Sequence, residues 1–337
     1  MSDLSSRSEI GKTGIDVSKL CLGTMQIGWL LDEEASNVLL DSFVDFGGNF
    51  IDTANMYGGD QNLGSYELNK SKCGLTESII GRWMKSRKNR NDLVIATKIR
   101  ARVWDGPDGE GLGRNHVPKA VDDCLERLGV DQIDILLAHF PDGTDFFEVF
   151  EVFNSLISSG KVRTIGSSNF PASMMEDALA VSSSNGFASW TSVQPRYSLL
   201  NRSEYEDGLM DFAIRENLGV FPFSPLAGGF LTGKYRSAQS ESQSVRSGFS
   251  KQYQTEKGFK LIECMDNIAK NHNVSLAAVA ISWVLSRPQV VSAVVGANSV
   301  SQLADQIPGA SIKLEQHEVN MLESLAWNES QGEFLTW

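Results

Sequence analysis

Gly47-Gly48-Asn49-Phe50-Ile51-Asp52-Thr53-Ala54-Asn55-Met56-Tyr57-Gly58 reads as a helix stop, a short buried strand and a loop. Phe50 and Ile51 end the strand, Asp52 sits where it stops, and Tyr57 follows five residues on. A strand that ends on a carboxylate is where an α/β barrel presents its chemistry. A carboxylate and a phenol on one loop can act on one proton, given a cation to tune the phenol and a donor for the substrate oxygen.

The surrounding chain repeats this unit. Upstream, residues 10–17 read as a small hairpin with glycines at its turns, and 17–22 as a strand stopping at Gly23-Thr24-Met25. Residues 32–46 form a helix by their Asp32 cap, first-turn acids and the apolar set Val38, Leu39, Phe43 and Phe46. Downstream, strands are read at 93–98, 133–139, 162–167, 191–194, 220–223 and 291–295. Helices are read at 76–85, 117–128, 145–158, 172–181, 206–216, 255–270, 276–285 and 300–307. The strands are apolar throughout rather than alternating, as in parallel sheets covered on both faces. Helices between successive strands imply βαβ crossovers. Eight such units predict a (β/α)8 barrel, an α/β TIM barrel with an N-terminal β-hairpin and long loops at the C-terminal face. The 337 residues then form one domain, 1–337, with no repeat or linker to suggest a second.

Composition narrows the class. Thirty basic against 42 acidic residues leave a net charge of −12, which argues against nucleic acid or an anionic membrane as a partner. No run approaches the roughly 18 apolar residues of a membrane span, and the polar start has no signal-peptide core. Cys21, Cys73, Cys124 and Cys264 are far apart and lack metal spacing, which fits a reduced, cytoplasmic setting. No G-x-G-x-x-G follows a strand, no phosphate-binding G-x-x-x-x-G-K-[ST] is present, and the four histidines lack ligand spacing, so no metal is expected.

Four ionisable residues fall at or just past successive strand ends: Asp52, Tyr57, Lys98 and His139. Neighbouring strands lie about 5 Å apart, so these ends converge. A free phenol titrates near ~10, and a nearby ammonium lowers that value. A carboxylate holds the ammonium in place, and a histidine can donate to a carbonyl oxygen. Each residue alone also reads as packing or as a structural pair; the four together suit protonation of a carbonyl oxygen during attack on its carbon.

With these residues in view the chain resembles the aldo-keto reductases over nearly its whole length. The resemblance rests on Asn49 to Gly58, Ala96-Thr97-Lys98, Leu136-Leu137-Ala138-His139, Gly160 to Phe170, Val193-Gln194 with Tyr197, and Phe221 to Gly229. It implies an NADP(H)-dependent carbonyl reductase with Tyr57 as general acid, Asp52 and Lys98 as its tuning pair, and His139 orienting the carbonyl. It implies that Ser168, Asn169 and Gln194 hold the nicotinamide carboxamide and that Phe223 stacks on the ring, where relatives commonly carry Tyr. Gly23, Thr24, Met25 and Asp52 fall beside the cofactor by the same resemblance. Ser224, Leu226 and Gly228 line the pyrophosphate, and Gly296, Asn298, Gln302 and Gln306 the adenosine phosphate.

Two departures stand out. Asn298 occupies a place where many members carry Lys or Arg, so NAD(H) is possible, with Lys234, Arg236 or Arg246 as substitute cations for a 2′-phosphate or as solvated residues. A long insertion separates Tyr57-Gly58 from Thr76-Glu77. Trp29, Met56, Val103 and Trp104 read as an apolar rim for the substrate or as packing, and Arg100 and Arg102 as solvated cations or as contacts for an anionic substrate. The expected activity is hydride transfer between NADP(H) and the carbonyl or alcohol carbon of a small aldehyde, ketone or sugar, by a monomer or homo-oligomer. The alternatives are an NAD(P)-dependent sugar or polyol dehydrogenase and a cofactor-binding regulatory subunit, since the chain also resembles the β subunits of voltage-gated potassium channels.

Overall fold

The computed structural model describes residues 3–58, 72–236 and 250–326. A two-stranded antiparallel hairpin, β1 (Arg7–Glu9) and β2 (Asp16–Ser18), precedes the parallel strands. Those are β3 (Leu20–Gly23), β4 (Phe50–Asp52), β5 (Val94–Ile99), β6 (Ile133–Ala138), β7 (Val162–Ser168), β8 (Ser192–Gln194), β9 (Gly219–Val220) and β10 (Ala293–Val295). They pair in the order β10-β3-β4-β5-β6-β7-β8-β9, all parallel. The open edges meet. Val291 N–H donates to Val220 O at 2.9 Å, Val220 N–H to Gln289 O at 3.0 Å and Val294 N–H to Pro222 O at 2.9 Å. The sheet therefore closes into the expected eight-stranded barrel.

Helices alternate with these strands. They are α1 (Glu33–Asp45), α2 (Leu75–Arg87), α3 (Val117–Leu128), α4 (Phe146–Ser158), α5 (Ala172–Asn185), α6 (Ser203–Glu206), α7 (Leu209–Glu216), α8 (Glu256–His272), α9 (Leu276–Leu285), α10 (Val300–Gln306) and α11 (Gln316–Leu325). Asp32, Asp145, Thr255, Ser275 and Ser299 each accept a backbone N–H at a helix start, which satisfies a donor that the first turn leaves free. Among the described residues no helix is long and apolar enough to cross a membrane.

Side-chain period two sorts the strands into an inner and an outer face. Leu20, Leu22, Ile51, Ile95, Leu136, Ile165 and Val193 point outward into the helix-lined core. Cys21, Phe50, Val94, Ala96, Ile135, Leu137, Phe221 and Val294 fill the interior, where Phe50 and Phe221 meet edge to face at 5.1 Å. Ile10, Ile15 and Val17 join that inner cluster, so the hairpin and its connection plug the barrel floor. Gly166 belongs to the same crowded layer: a Cβ there would lie 2.6 Å from Ser192 O and 2.8 Å from Leu137 Cδ2.

Several boundaries differ from the expectation. The hairpin pairs β1 with β2, and residues 10–15 are its connection. The helix expected over 206–216 splits into α6 and α7 because Gly208 sits at φ 93. The strand expected over 220–223 stops at Val220, since Pro222 has no N–H to donate; Phe223 makes only an isolated bridge to Arg196. α11 is unanticipated. It begins on a capping box in which Glu315 and Glu318 each accept the other's backbone N–H.

Candidate active site

Following the inner face of each strand to its C-terminal end reaches one residue per strand. By period two these are Gly23 after Cys21, Asp52 after Phe50, Lys98 after Ala96 and His139 after Leu137. Around the other half come Ser168 after Gly166, Gln194 after Ser192, Phe223 after Phe221 and Gly296 after Val294. The ladder sets the heights: Gly23 pairs with Asp52, Asp52 with Ala96, Lys98 with Leu137 and Ser168 with Gln194. Eight predicted site residues thus form one ring at the barrel mouth.

At its centre Lys98 Nζ donates to Asp52 Oδ2 at 2.6 Å and to Thr53 O at 2.8 Å, with the lysine 1 % exposed. The other Asp52 oxygen accepts from Gln194 Nε2 at 2.7 Å. Burial pushes the Lys98 ammonium down, but the charges of Asp52 and then Tyr57 outweigh it and hold the lysine above its ordinary value. Lys98 Nζ lies 5.2 Å from the Tyr57 ring centroid, and the Tyr57 and His139 rings meet edge to face at 6.2 Å. His139 is buried and stacks on Phe140 at 4.2 Å. Its burial, with Lys98 and Arg100 nearby, pushes the imidazole well below its ordinary value, so the ring is neutral at physiological pH. Its Nδ1 is buried with no protein partner.

The Tyr57 loop is stitched to the neighbouring strand. Thr53 N–H donates to Ala96 O at 2.8 Å, and Asn55 N–H to Lys98 O at 3.0 Å. The Tyr57 carbonyl accepts from Gly74 N–H at 3.0 Å. Gly58, at φ 127, packs so closely on Leu75 and Lys72 O that a Cβ would overlap them. Most of the long insertion after Gly58 (residues 59–71) lies outside the described residues.

The polar wall beside this centre is also built. Asn169, in the left-handed region at φ 62, donates from Nδ2 to His139 O at 2.9 Å and to Ser168 Oγ at 3.0 Å. Ser168 Oγ donates to Gln194 O at 2.8 Å. Because Gln194 commits its amide N–H to Asp52, its Oε1 remains as an acceptor for a ligand amide. Thr24 donates both its N–H and its hydroxyl to Asp52 O. Half-buried Met25 follows it, and Gln26, which the sequence reading missed, ties Gly23 O to Ala297 O through Nε2, 3.0 Å each.

Beyond half-buried Phe223 the chain turns through Ser224 at φ 59, Ala227 at φ 48, Gly228 at φ 65 and Gly229 at φ 90. These left-handed residues make a tight turn, in which Ala227 N–H donates to Ser224 O at 3.0 Å. Leu226 O accepts from Gly229 N–H within this turn. Lys234 Nζ lies 3.0 Å from where a Gly229 Cβ would sit. Arg236 pairs with Asp266 at 2.7 Å instead, and Arg246 lies outside the described residues. Exposed Asn298 donates its N–H to Gln302 Oε1 at 2.9 Å. Gln306 donates to Gly296 O at 3.0 Å and keeps a buried Oε1 without a partner. The uncommitted Gln194 Oε1 and the buried Gln306 Oε1 and His139 Nδ1, which have no protein partner, are polar groups that fit a nicotinamide dinucleotide as ligand.

The expected apolar rim divides. Val103 packs with Ala54, Met56, Ala101 and Tyr57. Trp104 instead stacks on His116 at 4.6 Å beneath the Lys119 ammonium. Trp29 is half-buried in the turn after β3, with its N–H on Gln26 O.

Residues 19–326 match the Aldo/keto reductase family model. The chain is 34% identical over 322 residues to the uncharacterized oxidoreductase YrpG of Bacillus subtilis, covering 94% of each chain. It is 32% identical to the probable aryl-alcohol dehydrogenase AAD4 of Saccharomyces cerevisiae, over 88% of each. It is 28% identical to a probable voltage-gated potassium channel subunit beta of Oryza sativa subsp. japonica, over 90% of each. The chain belongs to the aldo/keto reductase family, and its relatives include oxidoreductases.

Proposed function

We propose that this protein transfers hydride between NADP(H) and the carbonyl or alcohol carbon of a small, preferably aromatic, aldehyde or ketone. The observation that carries the reading is the buried Asp52–Lys98 pair under the Tyr57 ring with neutral His139 beside it. The nicotinamide cofactor, when bound, supplies or accepts the hydride. Ser168, Asn169 and Gln194 hold its carboxamide, Phe223 offers a ring face, and Ser224, Leu226 and Gly228 cradle its phosphates. Tyr57 gives its proton to the substrate oxygen as charge develops there, and takes it back in the oxidising direction. Lys98 makes that proton easier to release, and Asp52 keeps the ammonium charged and aimed. His139, neutral, donates a hydrogen bond to the oxygen and fixes it against Tyr57. Ala54, Met56, Ala101 and Val103 supply an apolar wall beside Tyr57. That wall and the name of the yeast relative support aryl aldehydes and alcohols as first substrates.

The same residues would serve an NAD(P)-dependent sugar or polyol dehydrogenase, the reading favoured by uncharged Asn298. A regulatory, cofactor-binding role is supported by the likeness to the potassium-channel subunit. One titration separates the three: NADPH and NADH binding followed by intrinsic fluorescence, then turnover on aryl aldehydes, aliphatic ketones and sugars. NADPH binding with aldehyde turnover is expected. Tight retention without turnover points to regulation. No binding of either nucleotide at micromolar concentration overturns the proposal.

A further inference from the structure

Behind the site, on the outer face of the barrel, lies a buried carboxylate that the mechanism does not use. Glu77, in the first turn of α2, is 0 % exposed. Its Oε1 accepts from Thr97 Oγ1 at 2.6 Å and its Oε2 from Arg127 Nε at 2.8 Å. Thr97 precedes Lys98 on β5, so when Lys98 faces the barrel axis Thr97 faces α2. Arg127 comes from α3, whose end approaches α2 so closely that a Cβ on Gly81 would overlap Leu128 O at 2.8 Å. The guanidinium also fills the space beside Gly74, where a side chain would collide with it. Gly74 is the residue whose N–H holds the Tyr57 carbonyl. Two residues further, Thr76 Oγ1 donates to Ile27 O at 2.7 Å and anchors the same turn to the loop after β3.

These contacts make one continuous bracket. It runs from the Tyr57 carbonyl through Gly74 and the first turn of α2 to Glu77, and from Glu77 to Thr97 beside Lys98. A carboxylate deprived of water is costly unless its lone pairs are occupied, and here hydroxyl and guanidinium occupy both oxygens.

We infer that Glu77 is a positioning residue that fixes the separation of Tyr57 and Lys98, and this rests on the proposed roles of those two. The Tyr57 loop enters from β4 and returns through α2, while Lys98 stands on β5. The α2 end of the loop is tied to β5 through Glu77, and the β4 end through the Thr53 and Asn55 N–H groups.

The test uses Thr97→Val, which exchanges the hydroxyl for a methyl of similar size, together with Glu77→Ala and Glu77→Gln. Each is compared with wild type for kcat, KM, NADPH affinity and Tm. A bracket predicts that Thr97→Val and Glu77→Ala lower kcat about ten- to a hundredfold while NADPH Kd and carbonyl KM hold. Glu77→Gln, whose oxygen still accepts from Thr97 while its NH2 meets the Arg127 donor, recovers part of the kcat loss. Lower Tm with unchanged kcat, or weakened NADPH binding in step with kcat, overturns the inference. If wild type turns nothing over, the hydride reading has failed and the bracket is judged alone, by the near-ultraviolet circular dichroism that Tyr57 contributes over a Tyr57→Phe background. The ionisable groups placed against the Tyr57 ring are Lys98 from β5, paired with Asp52 of β4, and neutral His139 past the end of β6. Breaking the bracket then alters that Tyr57 signal, and an unchanged signal overturns the inference.

Discussion

Tyr57 is the residue on which the chemistry turns. Tyr57→Phe keeps the ring packed against Met56 and Val103 and removes the proton, so kcat should fall about a hundred- to ten-thousandfold with NADPH affinity unchanged. Stopped-flow turnover beside fluorescence titration checks this. A parallel loss of nucleotide binding would mean that the phenol serves the cofactor instead. His139 carries a stability consequence. Its folded-state pKa lies well below the unfolded value because burial, Lys98 and Arg100 all disfavour the imidazolium. Below about pH 6.5 the unfolded chain binds a proton that the folded chain refuses, so stability is fully present above that pH and drops as pH falls from there toward the folded pKa. Urea midpoints between neutral and mildly acidic pH should decline more steeply for wild type than for His139→Asn. Superimposable slopes would show that the ring is not held neutral by the fold.

At the scale of elements, the strand that delivers Asp52 depends on how α1 ends. Gly47 turns the chain at φ 88, and the next residue, Gly48, lies against the ring of buried Phe43, which a Cβ would penetrate. Gly48→Ala should therefore cost about 1–3 kcal/mol by overpacking, read as a lower urea midpoint at unchanged m. A neutral result would mean that Phe43 can swing aside. Elements such as α1 and α3 were legible because one apolar stripe and one terminal signal coincide in each. The split at Gly208 was harder to read, because the apolar pattern runs on across it. α11 was missed because its stripe is short. The strand expected through Phe223 was cut by Pro222, whose ring removes the donor that a ladder needs.

At the scale of the molecule, barrel closure sets the site. Gly23 and Gly296 lie 273 positions apart in sequence, yet β3 and β10 are neighbours in the sheet, so the proposed cofactor groove crosses the seam where the first and last barrel strands meet. A ligand spanning that seam should stabilise the whole barrel. At a hundred times its Kd, NADPH should add about 2.7 kcal/mol and raise Tm in a single transition. The Lys234 side chain lies against Gly229, so Lys234→Ala should weaken NADPH more than NADH if this ammonium meets phosphate. Equal weakening would assign it to the shared pyrophosphate, and no effect would leave it solvated.

The sequence by itself determined the alternation of apolar strands and amphipathic helices, and so the barrel. It also determined which side chains end on its inner face, because period two in an extended strand is fixed by covalent geometry. Asp52, Lys98 and His139 were legible as residues at strand ends, whereas Ser168 and Gln194 were legible only through the resemblance to the aldo-keto reductases. The tertiary structure alone decided which of these touch: that Gln194 spends its amide on Asp52, that Arg236 pairs with Asp266, and that Trp104 lies on His116 rather than beside Val103. It also revealed Glu77, which in sequence is only an acid in a first helical turn. Partners such as Thr97 and Arg127, 20 and 50 residues away, are chosen by the packing of α2 against β5 and α3, and no local pattern encodes that.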